Sequence, residues 1–187
     1  MDVAVVPETE LTRRQARALC DLWATVFPRE GRTGEVEFAE WEKAGPPRDA
    51  TCLNYVVWDP STPVEQPVVL AVARTFAVEV ETAQGSLRVL ALAGVGTRPD
   101  RERRGLGRTV VTRSFARVDD GSFRLALFQT GVPGFYQKLG CTEVFNAFVN
   151  SAAEDPTATP WWDKHVMVYA PRRGWVEGQV DLTRAGW

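Results

Sequence analysis

The segment that most constrains this chain is a hydrophobic strand that runs into a basic, glycine-containing loop and then directly into a helix. It covers residues 92–111, with the sequence LAGVGTRPDRERRGLGRTVV. The first amides of a helix lack internal partners, and the helix dipole adds partial positive charge there. Glycines let the backbone approach an anion, and arginines add forked, charged donors. The segment therefore predicts a phosphate-binding turn.

The loop differs from the two common nucleotide-binding motifs. The P-loop pattern G-x-x-x-x-G-K-[ST] is absent. A dinucleotide-binding fingerprint needs a third glycine beyond Gly105 and Gly107, and its strand belongs to a parallel unit rather than to a hairpin. On local chemistry alone, the alternative interpretation is a solvated basic turn with a glycine hinge.

The composition is that of an ordinary globular protein. The chain has 187 residues, of which 44% are hydrophobic and 25% are charged, and this length predicts one domain over residues 1–187. The 22 basic and 24 acidic residues nearly balance, so we expect no nucleic-acid partner. The longest uncharged apolar run, near residues 89–97, is far shorter than the roughly 20 residues of a membrane span. With no signal peptide evident, we expect a cytoplasmic protein without a membrane partner.

Cysteine and histidine usage argues against a metal site. The three cysteines, Cys20, Cys52 and Cys141, have no metal-ligand spacing, and His165 is the single histidine. We therefore expect buried, reduced thiols and no metal. His165 opens a strand beside charged neighbours, where a satisfied surface histidine is expected rather than a catalytic one.

Hydrophobic periodicity and turn residues predict helices and strands in mixed order. The predicted helices cover residues 11–27, 35–43, 106–118 and 133–139, and the second of them is ended by Gly45-Pro46-Pro47. The predicted strands cover residues 53–58, 68–80, 87–97, 123–129, 143–149 and 165–169. A turn at Gln84-Gly85 joins two of these strands into an antiparallel hairpin. The order predicts an α/β layer structure around one central sheet.

Three stretches of the chain resemble motifs of the GNAT superfamily, whose members move the acetyl group of acetyl-CoA to an amine. Residues 103–108, RRGLGR, resemble the pyrophosphate loop [RQ]-x-x-G-x-[GA]. Residues 95–100, VGTRPD, resemble the end of the family's fourth strand, and residues 134–140, GFYQKLG, resemble its FYxKLGF segment. The order of elements over residues 9–170 agrees as well.

This resemblance implies the fold class. It is α/β (α+β): a GNAT fold with a single mixed, mostly antiparallel central sheet that contains a splayed strand pair and is flanked by helices. Residues 171–187 would form a C-terminal tail. The resemblance also allows a homodimer, formed through an edge strand or through that tail.

The resemblance implies acetyl-CoA as the cosubstrate and places its parts along the chain. The backbones of Val95 and Thr97 would hold the pantetheine amides and the acetyl carbonyl, and Gln129 would face the thiol end. The loop would hold the diphosphate through Arg103, Arg104, Gly105, Leu106, Gly107 and Arg108. Glu102 departs from the motif, because the family has Arg or Gln at its first position. The departure would weaken CoA binding unless Arg103 or Arg104 takes that role.

The resemblance also suggests one catalytic residue. Tyr136 matches the tyrosine that in many relatives gives the leaving thiolate a proton or a hydrogen bond. The alternative is that its ring only packs the helix against the sheet. The general base is left unassigned among the acidic candidates Glu35, Glu37, Glu40, Glu79, Glu81 and Asp163.

Tryptophans cluster in the segments from which the family builds its acceptor pocket. Trp41, Trp161 and Trp162, together with Asp163, would give aromatic walls beside a carboxylate, which suits a small organic amine in its cationic form. The alternative is that these rings close the ends of the core. We expect the acceptor to be a primary amine of a small molecule.

Three other functions stay open. Residues 95–100 and the ending Arg184-Ala185-Gly186-Trp187 are similar to aminoglycoside 2′-N-acetyltransferases, although the slight acidity of the chain argues against a polycationic acceptor. A non-catalytic acyl-CoA-binding domain can use the same fold, since fold does not fix activity. Acetylation of a protein N-terminus or lysine would need an open groove.

Overall fold

The computed structural model describes residues 2–45, 50–156 and 158–187. Within these ranges the α-helices are α1 (Arg13–Val26), α2 (Gly34–Ala44), α3 (Leu106–Asp119) and α4 (Pro133–Gln137). The strands are β1 (Ala4–Pro7), β2 (Leu53–Trp58), β3 (Val69–Thr82), β4 (Gly85–Thr97), β5 (Ala126–Thr130), β6 (Cys141–Val144), β7 (Ala147–Val149), β8 (His165–Tyr169) and β9 (Gln179–Asp181). Pro46 and Pro47, named above as helix breakers, lie outside the described residues.

The chain divides into two compact units. The first comprises residues 1–76 and 94–114, and the second comprises residues 77–93 and 115–187. Strands β3 and β4 and helix α3 contribute residues to both units. The assignment of residues 1–187 to one domain stays a prediction.

The first unit holds β1 and β2 with the start of β3. Both pairs are antiparallel, with Tyr55 of β2 opposite Val5 on one side and Ala73 on the other. Helix α1 begins with a capping box, in which the Thr12 hydroxyl accepts from the Gln15 amide while the Gln15 side chain accepts from the Thr12 amide. One stripe of α1, including Leu19, packs on the apolar face of the strands to form the core of this unit.

The second unit contains neighbouring strands in the order β4–β5–β8–β6. Strand β5 runs parallel to β4, with Leu90 opposite Ala126, whereas β8 is antiparallel to both β5 and β6. Strand β9 pairs antiparallel with the end of β3 and parallel with β7. The α/β fold with a mixed, mostly antiparallel sheet and flanking helices is thereby confirmed, and the splayed strand pair stays a prediction.

The segment after α4 differs from the sequence prediction. A single strand over residues 143–149 is wrong, because β6 ends at Val144 and β7 begins at Ala147 with β9 as its partner. The Phe145 ring points into solvent with 86% of its surface exposed. The Asn146 side chain donates to the carbonyls of Val176 and Gly178, at 3.1 and 2.8 Å. The pairing of β6 with β8 therefore ends before Asn146.

The remaining differences concern short elements. The three-residue β9 and the four-residue β1 are too short to show an alternating pattern in the sequence. The three cysteines are buried and form no disulfide bond among the described residues, which agrees with the predicted buried, reduced thiols. In the described ranges, no helix combines the length and the apolar character that crossing a membrane would require.

Candidate functional site

The last part of β4, in the first unit, contains a left-handed kink. Gly94 has φ of +56°, a conformation that disfavours residues with a Cβ. The indole Nε1 of Trp23, on α1, donates to the Gly94 carbonyl at 2.8 Å, and a Cβ on Gly94 would lie only 3.0 Å from that nitrogen. A left-handed residue inside a strand is the geometry of a glycine bulge. The kink directly precedes the half-buried Val95 and Thr97.

The loop between β4 and α3 has the backbone of an anion-binding turn. Arg103 and Gly105 are both left-handed, with φ of 60° and 81°. The amide of Thr109 donates to the Gly105 carbonyl at 3.0 Å and closes the first turn of α3. The three amides before it, those of Leu106, Gly107 and Arg108, have no acceptor within the helix. Left-handed residues followed by free helical amides form a concave set of donors for an anion.

The charged side chains of this loop fall into two groups. Arg98 lies 2.9 Å from Asp100, while Arg101 lies 3.5 Å from Asp100 and 3.9 Å from Asp59. The hydrogen bond from Arg98 lowers the pKa of Asp100, so this carboxylate stays ionised and keeps its partners. In the described part of the chain, no carboxylate pairs with the other three arginines: Arg103, Arg104 and Arg108. Unpaired positive charge therefore collects at the N-terminus of α3.

Gln129 has a structural role inside the second unit. Its side-chain oxygen accepts from the backbone amides of Trp162 and Asp163, at 2.9 and 2.8 Å. Its side-chain nitrogen donates to the backbone oxygen of Trp187 at 2.9 Å. Both ends of the amide are thus engaged within the unit, and they fix the segment around Asp163. That Gln129 faces a thiol stays a prediction.

Tyr136 is buried in α4 of the second unit. Its ring packs on Phe128 and Phe135, with centroid distances of 4.6 and 4.8 Å, and only 5% of the residue is exposed. Burial raises the pKa of the Tyr136 phenol, and the nearby Cys141 and Asp163 add to this effect. None of the residues that the structure describes accepts a hydrogen bond from its hydroxyl. The phenol is therefore protonated at neutral pH, and no described residue uses its donor.

The predicted acceptor residues fall in both units. Trp41 lies in the first unit, where its indole donates to the buried carboxylate of Glu8 at 3.1 Å. The other oxygen of Glu8 accepts from Asn54 at 2.6 Å. The sequence reasoning missed Glu8, because it lies in a polar ETE segment that is typical of an exposed turn.

Trp161, Trp162 and Asp163 are consecutive residues of the second unit. Trp161 is buried against Phe148 and Trp187, with ring centroids 5.5 and 4.9 Å away. Its indole nitrogen is buried without a hydrogen-bond partner among the described residues. Trp162 is 68% exposed. Trp161 and Asp163 line a groove, and Trp162 does not.

The candidate general bases differ in their partners. Arg32 forms ion pairs with Glu37, at 2.7 Å, and with Glu40. The hydrogen bond from Arg32 lowers the pKa of Glu40, which makes that carboxylate a weaker base. Asp163 carries no ion pair in the described ranges. The other candidates, Glu35, Glu79 and Glu81, are exposed.

His165 Nδ1 lies 2.7 Å from Glu143 Oε1, so the expected satisfied histidine is confirmed. Over residues 2–45, 50–156 and 158–187, no group of three or more His, Cys, Asp or Glu side chains could hold a metal ion.

The chain matches the sequence model of a known protein family. A model described as an acetyltransferase (GNAT) domain matches residues 9–144, which is well over half of the chain. The chain belongs to the GNAT acetyltransferase family. No curated protein matches this GNAT sequence. The matched range includes the kink in β4, the basic loop and Tyr136.

Solved structures share the GNAT fold at low sequence identity. The GNAT N-acetyltransferase YhbS of Escherichia coli, in complex with CoA, is 14% identical with a TM-score of 0.61, over 97% of this chain and 90% of that chain. An acyl-CoA N-acyltransferase of Pseudomonas aeruginosa is 16% identical with a TM-score of 0.55, over 90% and 99%. A GCN5-related N-acetyltransferase of Kribbella flavida is 19% identical with a TM-score of 0.54, over 76% of this chain. This chain spans only 33% of the Kribbella flavida protein.

Proposed function

We propose that this GNAT domain transfers the acetyl group of acetyl-CoA to a primary amine of a small molecule, by direct attack in a ternary complex. The observation that carries the proposal is the basic loop before α3, with its free helical amides and three unpaired arginines. Family membership supports the same reaction class. The Escherichia coli relative was solved as a complex with CoA, which agrees with acetyl-CoA as the cosubstrate.

The donor set of the first unit fits the polar parts of CoA. A diphosphate needs several N–H donors and positive charge, and the loop offers both through the backbone and side chains of Arg103 to Arg108. Pantetheine carries amides that pair with an extended backbone as an added strand does. We assign that pairing to Val95 and Thr97, which directly follow the kink at Gly94.

The chemistry of the transfer uses few protein groups. Acetyl-CoA supplies an activated thioester: the neutral amine nitrogen bonds to the carbonyl carbon, the C–S bond breaks, and the nitrogen loses one proton to water. An acceptor that binds as an ammonium ion first loses another proton to water, which frees the lone pair for the attack. We assign to Tyr136 the donation of a proton or hydrogen bond to the departing thiolate. Its raised pKa, caused mainly by burial, agrees with a group that is protonated before the transfer.

A direct experiment tests this function. Purified protein is titrated with CoA by calorimetry, and thiol release from acetyl-CoA is then followed with a panel of amines that includes an aminoglycoside and a lysine peptide. We expect CoA to bind, and small primary amines to stimulate release most. Binding without amine-stimulated release would favour the non-catalytic alternative, and absence of CoA binding would overturn the proposal.

Glu102 offers a further prediction, because its exposed carboxylate directly precedes the unpaired arginines. The Glu102→Gln variant is expected to bind CoA about 1.4- to fivefold more tightly, since an exposed charge pair contributes about 0.2–1 kcal/mol. Calorimetry at low and high salt measures the gain, which should shrink as salt screens the repulsion. The matched control is Glu30→Gln, an exposed acid outside the loop. Equal or weaker binding by the Glu102 variant would contradict the prediction.

A further inference from the structure

A groove in the second unit lies where β6 ends and β8 begins. Its volume is about 330 Å³, and its lining includes Glu143, Phe145, Phe148, Trp161, Asp163 and Lys164. Pockets for small ligands span roughly 300–1,000 Å³. The groove therefore suits a compact molecule with one ring or a short chain, rather than an oligosaccharide or a folded peptide.

Aromatic rings form the apolar part of this groove. Phe148 and Trp161 meet edge to face, with centroids 5.5 Å apart and planes at 79°. Phe145 is the most exposed of the large apolar residues identified in the described ranges, at 86%. An uncovered face of an aromatic ring attracts a cation.

The charged residues of the groove favour a single positive charge. Glu143 and Asp163 carry carboxylates, and Lys164 carries one ammonium group, so the lining is acidic by one charge. Glu143 is already engaged by His165 at 2.7 Å. Asp163 has no ion-pair partner among the residues that the structure describes. One free carboxylate matches a monocation better than a polycation.

The Gln129 side chain holds the backbone at Asp163 in place. The amide of Asp163 donates to the Gln129 side chain at 2.8 Å. The Asp163 carboxylate oxygen lies 3.6 Å from where a Cβ on Gly131 would stand. The charge of the same carboxylate adds slightly to the raised pKa of Tyr136, whose main cause is burial. The free carboxylate is therefore held by Gln129 in the same unit that contains Tyr136.

We propose that this groove binds the amine acceptor as a small monoammonium ion with an apolar or aromatic body. Asp163 is its principal anionic partner, Phe148 and Trp161 contact its body, and Gln129 is the positioning residue that holds Asp163. The proposal rests on the proposed function. It names the acceptor class and assigns Gln129 to the acceptor side.

Binding of model amines tests the groove without CoA. The probes are 2-phenylethylamine and its neutral counterpart 2-phenylethanol, titrated by calorimetry into the full chain. Asp163→Asn is expected to weaken amine binding about tenfold and to leave alcohol binding unchanged. The matched control is Glu154→Gln, an exposed acid outside the lining, which should bind both probes as wild type does. Equal amine affinity in the Asp163 variant, or equal binding of both probes to wild type, would overturn the proposal.

The Gln129→Met variant distinguishes a role of Gln129 in holding Asp163 from a role at the thiol end of CoA. If Gln129 positions Asp163, the KM for 2-phenylethylamine rises several-fold while the KM for acetyl-CoA stays the same. A rise only in the KM for acetyl-CoA would instead support a position at the thiol and overturn this assignment. Near-ultraviolet circular dichroism of the variant verifies that its tryptophan packing is retained.

Different results would show that the groove assignment is wrong or that the proposed function is wrong. If CoA binds and amines are acetylated while Asp163→Asn behaves as wild type, the groove assignment is wrong and the proposed function stands. If CoA does not bind, the proposed function is wrong, and the difference between 2-phenylethylamine and 2-phenylethanol still decides whether the groove holds an ammonium ion.

Discussion

Replacing Arg103, Arg104 and Arg108 together with Gln is expected to weaken CoA binding about 100-fold. Each guanidinium is exposed and unpaired, so we take about 1 kcal/mol for each contact with the anion, the upper end for exposed charge pairs. Three such contacts give about 3 kcal/mol, or roughly a factor of 100. Calorimetric titration with CoA measures the loss. The effect should be largest at low salt and should decrease as the Debye length shortens.

A matched triple variant controls for net charge. Arg14, Arg29 and Arg113 are exposed arginines of the first unit that lie outside the loop and carry no ion pair among the described residues. Replacing these three with Gln changes the net charge by the same amount, and CoA affinity should stay within about twofold of wild type. If both triple variants lose affinity equally, the general charge of the chain matters and the loop does not. If neither loses affinity, the diphosphate binds elsewhere.

The basic loop could be predicted because its features are local in the sequence. Arg103 and Gly105 stand next to the helix whose free amides they precede, and no distant contact is needed to recognise the pattern. The pairing of the arginines could not be predicted in the same way. Arg101 resembles Arg104 in sequence, but the fold brings Asp59, which is distant along the chain, to within 3.9 Å of Arg101.

Two features of the second unit, the bonds of Gln129 and the break between β6 and β7, could not be predicted from the sequence. The Gln129 side chain joins the segment at Trp162 and Asp163 to the chain end at Trp187, and no local pattern encodes a bond between such distant segments. The apolar residues of EVFNAFV continue through residues 143–149, so the sequence favours one strand. The bonds from Asn146 to Val176 and Gly178 override that pattern.

Changing Tyr136 to Phe is expected to lower kcat about 100-fold and to leave the KM for acetyl-CoA nearly unchanged. Proton donation by a positioned side chain contributes roughly 10²–10⁴-fold, and a thiolate is a good enough leaving group to place the effect at the lower end. The ring keeps its contacts with Phe128 and Phe135. No described residue depends on the hydroxyl as a hydrogen-bond donor, so the melting temperature should not fall. Steady-state kinetics and thermal unfolding measure the two quantities.

Tyr169→Phe is the matched control, because the Tyr169 hydroxyl, unlike that of Tyr136, has a hydrogen-bond acceptor in the protein. It donates to Asp119 at 3.0 Å, while the ring stacks on Phe115. Losing this bond should cost about 0.5–1.5 kcal/mol of stability and leave kcat unchanged. Opposite patterns in the two variants would separate a chemical role from a packing role. If Tyr136→Phe instead loses stability and keeps its kcat, then the Tyr136 hydroxyl serves packing, and water or another group protonates the thiolate.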